Sequence, residues 1–369
     1  MRRLQQQNQM LQIIGFPQKY VQGKDATKAI GKYMYSCKNV LFIGGKRGLA
    51  SIQANVQASC EENTIQATFE FFNGECCDEE ITRISEIVKQ KQIDGICGCG
   101  GGKAIDTAKC VAFNNKIKCF VLPCIAATDA PTSSLSVIYT QEGQFKRYVF
   151  FPSNPDLVLL DTNVIVKAPV RTLVAGMGDA LATFFEAQQA NISQRPNFFG
   201  GKSPLTGQII AKTCYETLLK YGKLAKLANE AQAVTGAFEA VVEANTLLSG
   251  LGFESGGVCA AHSVHNGLTA LPETHSMLHG EKVAFGVLVQ LVLQNADKEL
   301  IKEVIGFCRE VGLPTNLKML GVTKVSDEQL LKVAELACAK NETIHNFNLK
   351  VTPEDVKDAI KAADLIGSQ

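Results

Sequence analysis

Through the first half of the chain, short apolar runs closed by glycine or proline alternate with segments of helical length. Residues 39–45 (NVLFIGG) read as a buried parallel strand, apolar and then ended by glycines. A helix is expected to start within 45–60, and 64–72 (TIQATFEFF) alternates well enough to be a second strand. In 78–91, Ile81, Ile84, Ile87 and Val88 fall along one helical face. Strand, glycine turn and helix follow in 93–113, and 116–128 repeats the strand and turn. Residues 152–160 (PSNPDLVLL) supply one more strand. Apolar strands separated by helix-length segments predict a parallel sheet with right-handed crossovers.

After Pro169 the texture changes. Segments 177–190, 209–222 and 231–253 are long, rich in Ala and Leu, and periodic at helical spacing. Start signals are clear near the C-terminus: Ser326 with Gln329 forms a capping box, and Thr352-Pro353 combines an N-cap with proline at the first helical position. The expected fold class is therefore α/β, with an N-terminal parallel-sheet domain over 1–168 followed by an all-helical domain over 169–369. No long linker separates them, so the two are expected to share an extensive cleft.

Length and composition narrow the setting. At 369 residues, two domains are the natural division. Hydrophobic content of 46% with 20% charged residues describes a globular chain with ample core. A net charge of +1 gives no footprint for nucleic acid or an anionic membrane, and no apolar run is long enough to span one. Thirteen cysteines invite a disulfide framework, but the number is odd and no C-x-x-C pair occurs. Cys97, Cys99, Cys110, Cys119 and Cys124 sit in apolar surroundings where a reduced thiol is a small hydrophobe, so a reducing cytoplasm is the expected location. The Gln-rich head (MRRLQQQNQMLQ) lacks a hydrophobic core of its own and reads as a frayed terminus rather than a transit peptide.

Chemistry concentrates in residues 256–286. Four of the five histidines (His262, His265, His275 and His279) fall within eighteen residues, spaced i,i+3 and i,i+4. On helices each pair would share a face, and Pro272 between them should end the first helix. Two helical turns offering imidazoles across a short bend suit a metal ion, and a catalytic zinc takes three protein ligands with one position open. A second stretch, GCGGGKAID at 98–106, follows a strand and opens a helix, the context for a phosphate cradle. It is not a Walker A loop, which would need Gly at 97 and Ser or Thr at 104, where Cys97 and Ala104 stand. Nor is it G-x-G-x-x-G, because Lys103 holds the sixth position. A third run, 123–140 (PCIAATDAPTSSLSVIYT), puts small hydroxylated residues at a strand end, with Asp129 its one charge.

Together these stretches resemble the glycerol dehydrogenases of the metal-dependent (iron-containing type) alcohol dehydrogenase superfamily. GGGKAIDTAK is similar to that family's pyrophosphate turn and TDAPTSSLSVIYT to its nicotinamide and substrate segment. APVRTLVAGMGDAL, GFESGGVCAAHSVHNGLTAL and HGEKVAFG resemble its three metal-ligand segments. The similarity runs from about Ile13 to the C-terminus. It implies a Rossmann-like dinucleotide-binding domain followed by a helical metal- and substrate-binding domain. It also implies one Zn²⁺ or other divalent ion per subunit on Asp179, His262 and His279, leaving His265 and His275 outside the ligand set. Gly102, Lys103, Asp106, Cys124, Ile125, Ala126, Ala127, Ser133, Leu135 and Tyr139 would line the cofactor, with Asp129 at the substrate. Cys124 stands where the family commonly has Thr.

The activity implied is NAD-linked oxidation of glycerol, or a related vicinal diol, to dihydroxyacetone at a zinc-bound alkoxide, in a cytoplasmic homo-oligomer. The rivals in the superfamily are a sn-glycerol-1-phosphate dehydrogenase, a 2-oxo acid reductase and a dehydroquinate synthase. The first two need an anion site for substrate, and the sequence puts no Arg/Lys cluster beside Asp129 or His262. A metal-free binding module on the same scaffold is the rival from another class. After the first strand, where the family tends to carry an Asp for the adenosine ribose, this chain has Gly45 followed by Lys46 and Arg47. Either the basic pair faces solvent, or it meets a 2′-phosphate and NADP is accepted alongside NAD.

Overall fold

A computed structural model describes residues 11–369, so the Gln-rich head up to Met10 lies outside the described residues. Two compact units divide the chain. One takes Gly15–Pro169 and Ala228–Gly250; the other takes Val170–Leu227 and Leu251–Gln369, with residues 11–14.

The first unit is built on six parallel strands: β1 (Tyr20–Gly23), β2 (Asn39–Gly44), β3 (Gln66–Phe71), β4 (Gly95–Gly100), β5 (Lys118–Pro123) and β8 (Leu157–Asp161), in the order β1-β8-β5-β4-β2-β3. Alternation along β2 explains the layering. Val40 and Phe42 pack on one face with Leu49, Ile52 and Val56 of α1 (Lys46–Glu62). Leu41 and Ile43 pack on the other with Ile81 and Ile84 of α2 (Asp78–Gln90) and Ala108 and Val111 of α3 (Gly102–Asn115). From β2 the chain runs one way to β3 and then returns past β2 to β4. The turns after β2 and β4 therefore leave the carboxyl edge at a switch point, where such sheets bind ligands. β4 is GICGCG because helix and neighbours press on it. A Cβ on Gly98 would lie 2.8 Å from Ile105 Cα, and one on Gly95 would lie 2.8 Å from the Phe120 ring.

Two details depart from the sequence reading. β6 (Leu135–Tyr139) and β7 (Phe145–Phe150) form a separate antiparallel ribbon within and beyond the hydroxylated run. The expected strand over 152–160 begins only at Leu157, since Pro152 and Pro155 cannot donate to a ladder.

A larger correction concerns the division at 168/169. The helical stretch 228–250 belongs with the sheet, not with the helices that flank it in sequence. Polar side chains tie it there: Gln22 Nε2 donates to Glu239 O (2.9 Å), Asn245 Nδ2 to Ala126 O (3.0 Å) and Thr132 Oγ1 to Thr246 O (2.9 Å). Helical periodicity reveals a helix but not its partner.

The second unit is helical in its regular elements, among them α4 (Val170–Ile192), α5 (Ala260–Leu268), α6 (His279–Leu293), α7 (Asp327–Ala337) and α8 (Pro353–Ser368). Both anticipated caps are present, Ser326 with Gln329 on α7 and Thr352 before Pro353 on α8. All thirteen cysteines are free thiols. No helix among the described residues is long and apolar enough to cross a membrane.

Candidate active site

Three helices of the helical unit each contribute one side chain to a common point. Asp179 sits in mid α4, His262 in the first turn of α5, and His279 is the first residue of α6. His262 Nε2 lies 3.3 Å and His279 Nε2 3.2 Å from the same Asp179 Oδ1. One ligand atom from each residue falls within 4.8 Å of the other two. Asp179 is 1% exposed, whereas the imidazoles are 21% and 38% exposed, so one side of the cluster is open.

Glycine contacts let the helices come this close. A Cβ on Gly178 would collide with the Gly280 carbonyl, and one on Gly280 with the Ala175 carbonyl. A Cβ on Gly286 would collide in the same way with Ala261 O, where α6 crosses α5.

Orientation of both rings comes from their second nitrogens. His262 Nδ1 is 2.5 Å from Glu186 Oε2, so Nδ1–H is donated there and the neutral ring turns its Nε2 lone pair to the cluster. His279 Nδ1 lies 3.1 Å from His265 Nε2, and His265 Nδ1 lies 3.0 Å from Asn266 Oδ1. Asn266 Nδ2 in turn donates to both oxygens of Glu342, each at 3.1 Å. Followed inward from Glu342, this chain of donors leaves His279 Nε2 as a lone pair as well. A buried carboxylate and two imidazole lone pairs fit a divalent ion such as zinc.

The charges agree. Burial works to raise the Asp179 carboxyl, but the imidazoles of His279 and His262 outweigh it and hold it well below the usual range. Burial would lower His262, but the Glu186 and Asp179 carboxylates raise it well above its ordinary value. Burial, reinforced by His279, drives His265 well below its own, keeping it neutral as the relay requires.

The four-histidine cluster thus resolves unequally. His265 supports His279. His275 is exposed, lies in a 3-10 turn (Pro272–Ser276) and makes its contact with Thr269 O (3.0 Å), so it shares no helix face with His279. Glu186 and Gln290 escaped the sequence reading, although Gln290 is a lone polar residue in an apolar helical run (VLVQLVL), which marks a buried polar group needing a partner.

In the sheet unit, the turn after β4 has the form of an anion cradle. Gly100 adopts φ +131°, a conformation that L side chains rarely take. Gly101 caps α3 with no side chain to bond the first-turn amides, and Gly102 opens the helix. Lys103 pairs with Glu75 and lies 5.3 Å from the Tyr139 ring centroid. Asp106 is buried; its Oδ2 accepts from Val137 N (3.0 Å), and burial pushes its carboxyl up to about 6 against the pull of Lys109. Lys109, overlooked in the sequence, donates to Ala130 O, Ser133 Oγ and Leu135 O, pinning the turn that carries Ser133 and Leu135.

In the same unit Cys124 is buried with Sγ 3.7 Å from Gly48 O, and burial pushes its thiol well up. Ile125 borders Gly101: a Cβ there would lie 3.2 Å from Ile125 Cδ1. Ala126 O is taken by Asn245, and Ala127, next along, is half-buried. Asp129 Oδ2 accepts from Ser249 Oγ at 2.7 Å. Gly45 caps α1 facing open space, with Lys46 and Arg47 exposed beside it.

Comparison with known proteins identifies the family. The sequence profile described as iron-containing alcohol dehydrogenase matches residues 17–162. A glycerol dehydrogenase of Thermotoga maritima is 51% identical over 359 residues, 95% of this chain and 96% of its own. A glycolaldehyde reductase of Halobacterium salinarum is 45% identical, covering 97% of this chain and 98% of its own. The crystal structure of glycerol dehydrogenase from Schizosaccharomyces pombe superposes with TM-score 0.94 at 41% identity, covering 97% of this chain and 92% of that one.

Proposed function

The chain belongs to the iron-containing alcohol dehydrogenase family, and from that premise we propose that it oxidises glycerol and related vicinal diols with a nicotinamide dinucleotide as hydride acceptor. It is an oxidoreductase of that family. The observation that carries the substrate reading is the convergence of Asp179, His262 and His279, each within 4.8 Å of the others through one ligand atom.

Those three residues would hold a divalent ion, zinc by the chemistry of the donors, which when bound supplies Lewis-acid polarisation of the substrate hydroxyls. The rest falls to the protein's own groups. Glu186 and His265 hold the two rings so that both present Nε2. Asp129, steadied by Ser249, is the acceptor for a further substrate hydroxyl. The Gly101–Gly102 turn and α3 terminus receive the dinucleotide's pyrophosphate, with Lys103 supplying positive charge. Ser133, Leu135 and Tyr139 face the nicotinamide, on a turn that Lys109 fixes. Holding donor carbon and acceptor ring in one orientation is the main contribution to a hydride transfer, because the redox chemistry resides in the cofactor.

The glycolaldehyde reductase among the relatives favours a second reading of the same chemistry, reduction of a short hydroxyaldehyde in the reverse direction. Both readings require an oxygen beside the reacting carbon. The test is NADH formation on glycerol, on glycerol 1-phosphate and on 2-hydroxy acids, with NADH consumption on glycolaldehyde. Glycerol should be oxidised at least a hundredfold more efficiently than its phosphate or the acids. Preference for glycerol 1-phosphate or a hydroxy acid would overturn the proposal.

A further inference from the structure

The N-terminus of α5 is capped by side chains from both neighbouring helices. Cys259, at the cap position, makes no side-chain cap bond. Glu186 Oε1 instead accepts from Cys259 N (2.9 Å) and His262 N (3.0 Å), while Gln290 Oε1 accepts from Ala260 N and Ala261 N, both at 3.0 Å. Glu186 stands two turns beyond Asp179 on α4, and Gln290 three turns beyond His279 on α6. The helices that carry the other two ligands thus also fasten the helix that carries His262. Glu186 does one thing more: its second oxygen meets His262 Nδ1 at 2.5 Å.

We propose that Glu186 is a positioning residue that sets the tautomer of His262, and that its charge is what makes the site competent to take up a metal ion. The inference rests on the ion site proposed above. The argument is a count of acceptors. Three donors converge on Glu186 (two backbone amides and the ring Nδ1–H), and a carboxylate has an acceptor oxygen for each side. A glutamine of the same shape has one. Either it keeps its oxygen on the two amides and turns its own N–H toward Nδ1, or it flips and orphans two buried backbone donors. The first arrangement fixes the neutral ring's proton on Nε2, so the lone pair an ion needs lies on the wrong nitrogen, whereas the wild-type ring on giving up its second proton keeps the other on Nδ1.

Glu186→Gln should therefore fold as the wild type and refuse the ion. The measurement is zinc affinity of the full chain by chelator competition at fixed pH, beside thermal unfolding of the metal-free protein. Glu186→Gln is expected to bind zinc at least tenfold more weakly while its unfolding temperature falls no further than that of Gln290→Ala, since loss of such an outer partner weakens metal binding by about 10–100-fold. Gln290→Ala is the control for a purely structural clamp: it removes two of the four caps without touching the ring. It should lower the unfolding temperature and leave zinc affinity within about threefold. Equal zinc affinity in Glu186→Gln and wild type, or equal weakening by both variants, overturns the inference. If wild type itself binds no zinc, the ion site falls and this inference with it. If Glu186→Gln does not fold, nitrogen NMR of the zinc-loaded wild type decides: His262 should carry its proton on Nδ1, and a proton on Nε2 would refute the proposal.

Discussion

Gly178 and Gly280 meet backbone to backbone, one residue before Asp179 and one residue after His279. Asp179 and His279 converge because two helices touch without side chains between them. Gly280→Ala tests this. Alanine gains about 1 kcal/mol of helix propensity over glycine, but its methyl would collide with the Ala175 carbonyl, and overpacking costs about 1–3 kcal/mol. The collision is with backbone, which cannot rotate away, so the loss should win. A lower unfolding temperature together with weaker zinc binding is expected; a stabilised variant with unchanged zinc affinity would contradict it.

The proposed reading gives a substrate preference that can be measured. Glycerol and 1,2-propanediol should exceed 1-propanol in kcat/KM by about a hundredfold or more, the equivalent of losing one good polar contact in the transition state. Comparable rates on 1-propanol would mean that the second hydroxyl is not read.

Metal uptake should depend on pH in a stated direction. The carboxylates of Glu186 and Asp179 raise His262 well above its ordinary 6.5, so the metal-free protein holds a proton there that an ion must displace. Zinc affinity should rise with pH, by about tenfold per unit while His262 remains protonated. The same proton stabilises the metal-free fold. That contribution is fully present below about 6.5 and fades as pH climbs through the raised value. Calorimetric titration at several pH values checks the slope, and a flat profile would contradict this account of His262.

Cofactor choice turns on Gly45. The cap position of α1 faces open space, and Lys46 and Arg47 are exposed beside it. Charge-assisted contact with a 2′-phosphate contributes about 1.5–3 kcal/mol, so NADP should be accepted alongside NAD. Gly45→Asp should suppress NADP selectively. Discrimination against NADP by a thousandfold in the wild type would defeat the inference.

Much of this was legible in the residues, and what was not has physical reasons. Apolar runs, alternation and period-3.6 patterns located β2, β3, β4, β5, β8 and α1–α3, because burial there leaves a local signature, whereas β1 left none. Pattern could not say that 228–250 returns to the sheet, since Asn245 and Thr246 meet their partners across more than a hundred residues. Histidine spacing singled out His262 and His279, which cluster with Asp179, together with His265 and His275, which do not. Asp179 looked like a cap residue and was visible only through family resemblance. Gln290 was discoverable as a polar residue stranded in an apolar run, though nothing local said that it and Glu186 would cap a helix from elsewhere in the fold.

The most direct test of the central claim is metal stoichiometry in the purified protein, measured with glycerol-dependent NADH formation, for wild type and for Asp179→Ala, His262→Ala, His279→Ala and His275→Ala. One ion per chain is expected in wild type and in His275→Ala. Each of the first three variants should lose the ion and nearly all turnover while keeping its helical content. Retention of metal by any of those three, or loss from His275→Ala equal to that from His279→Ala, would contradict the site described.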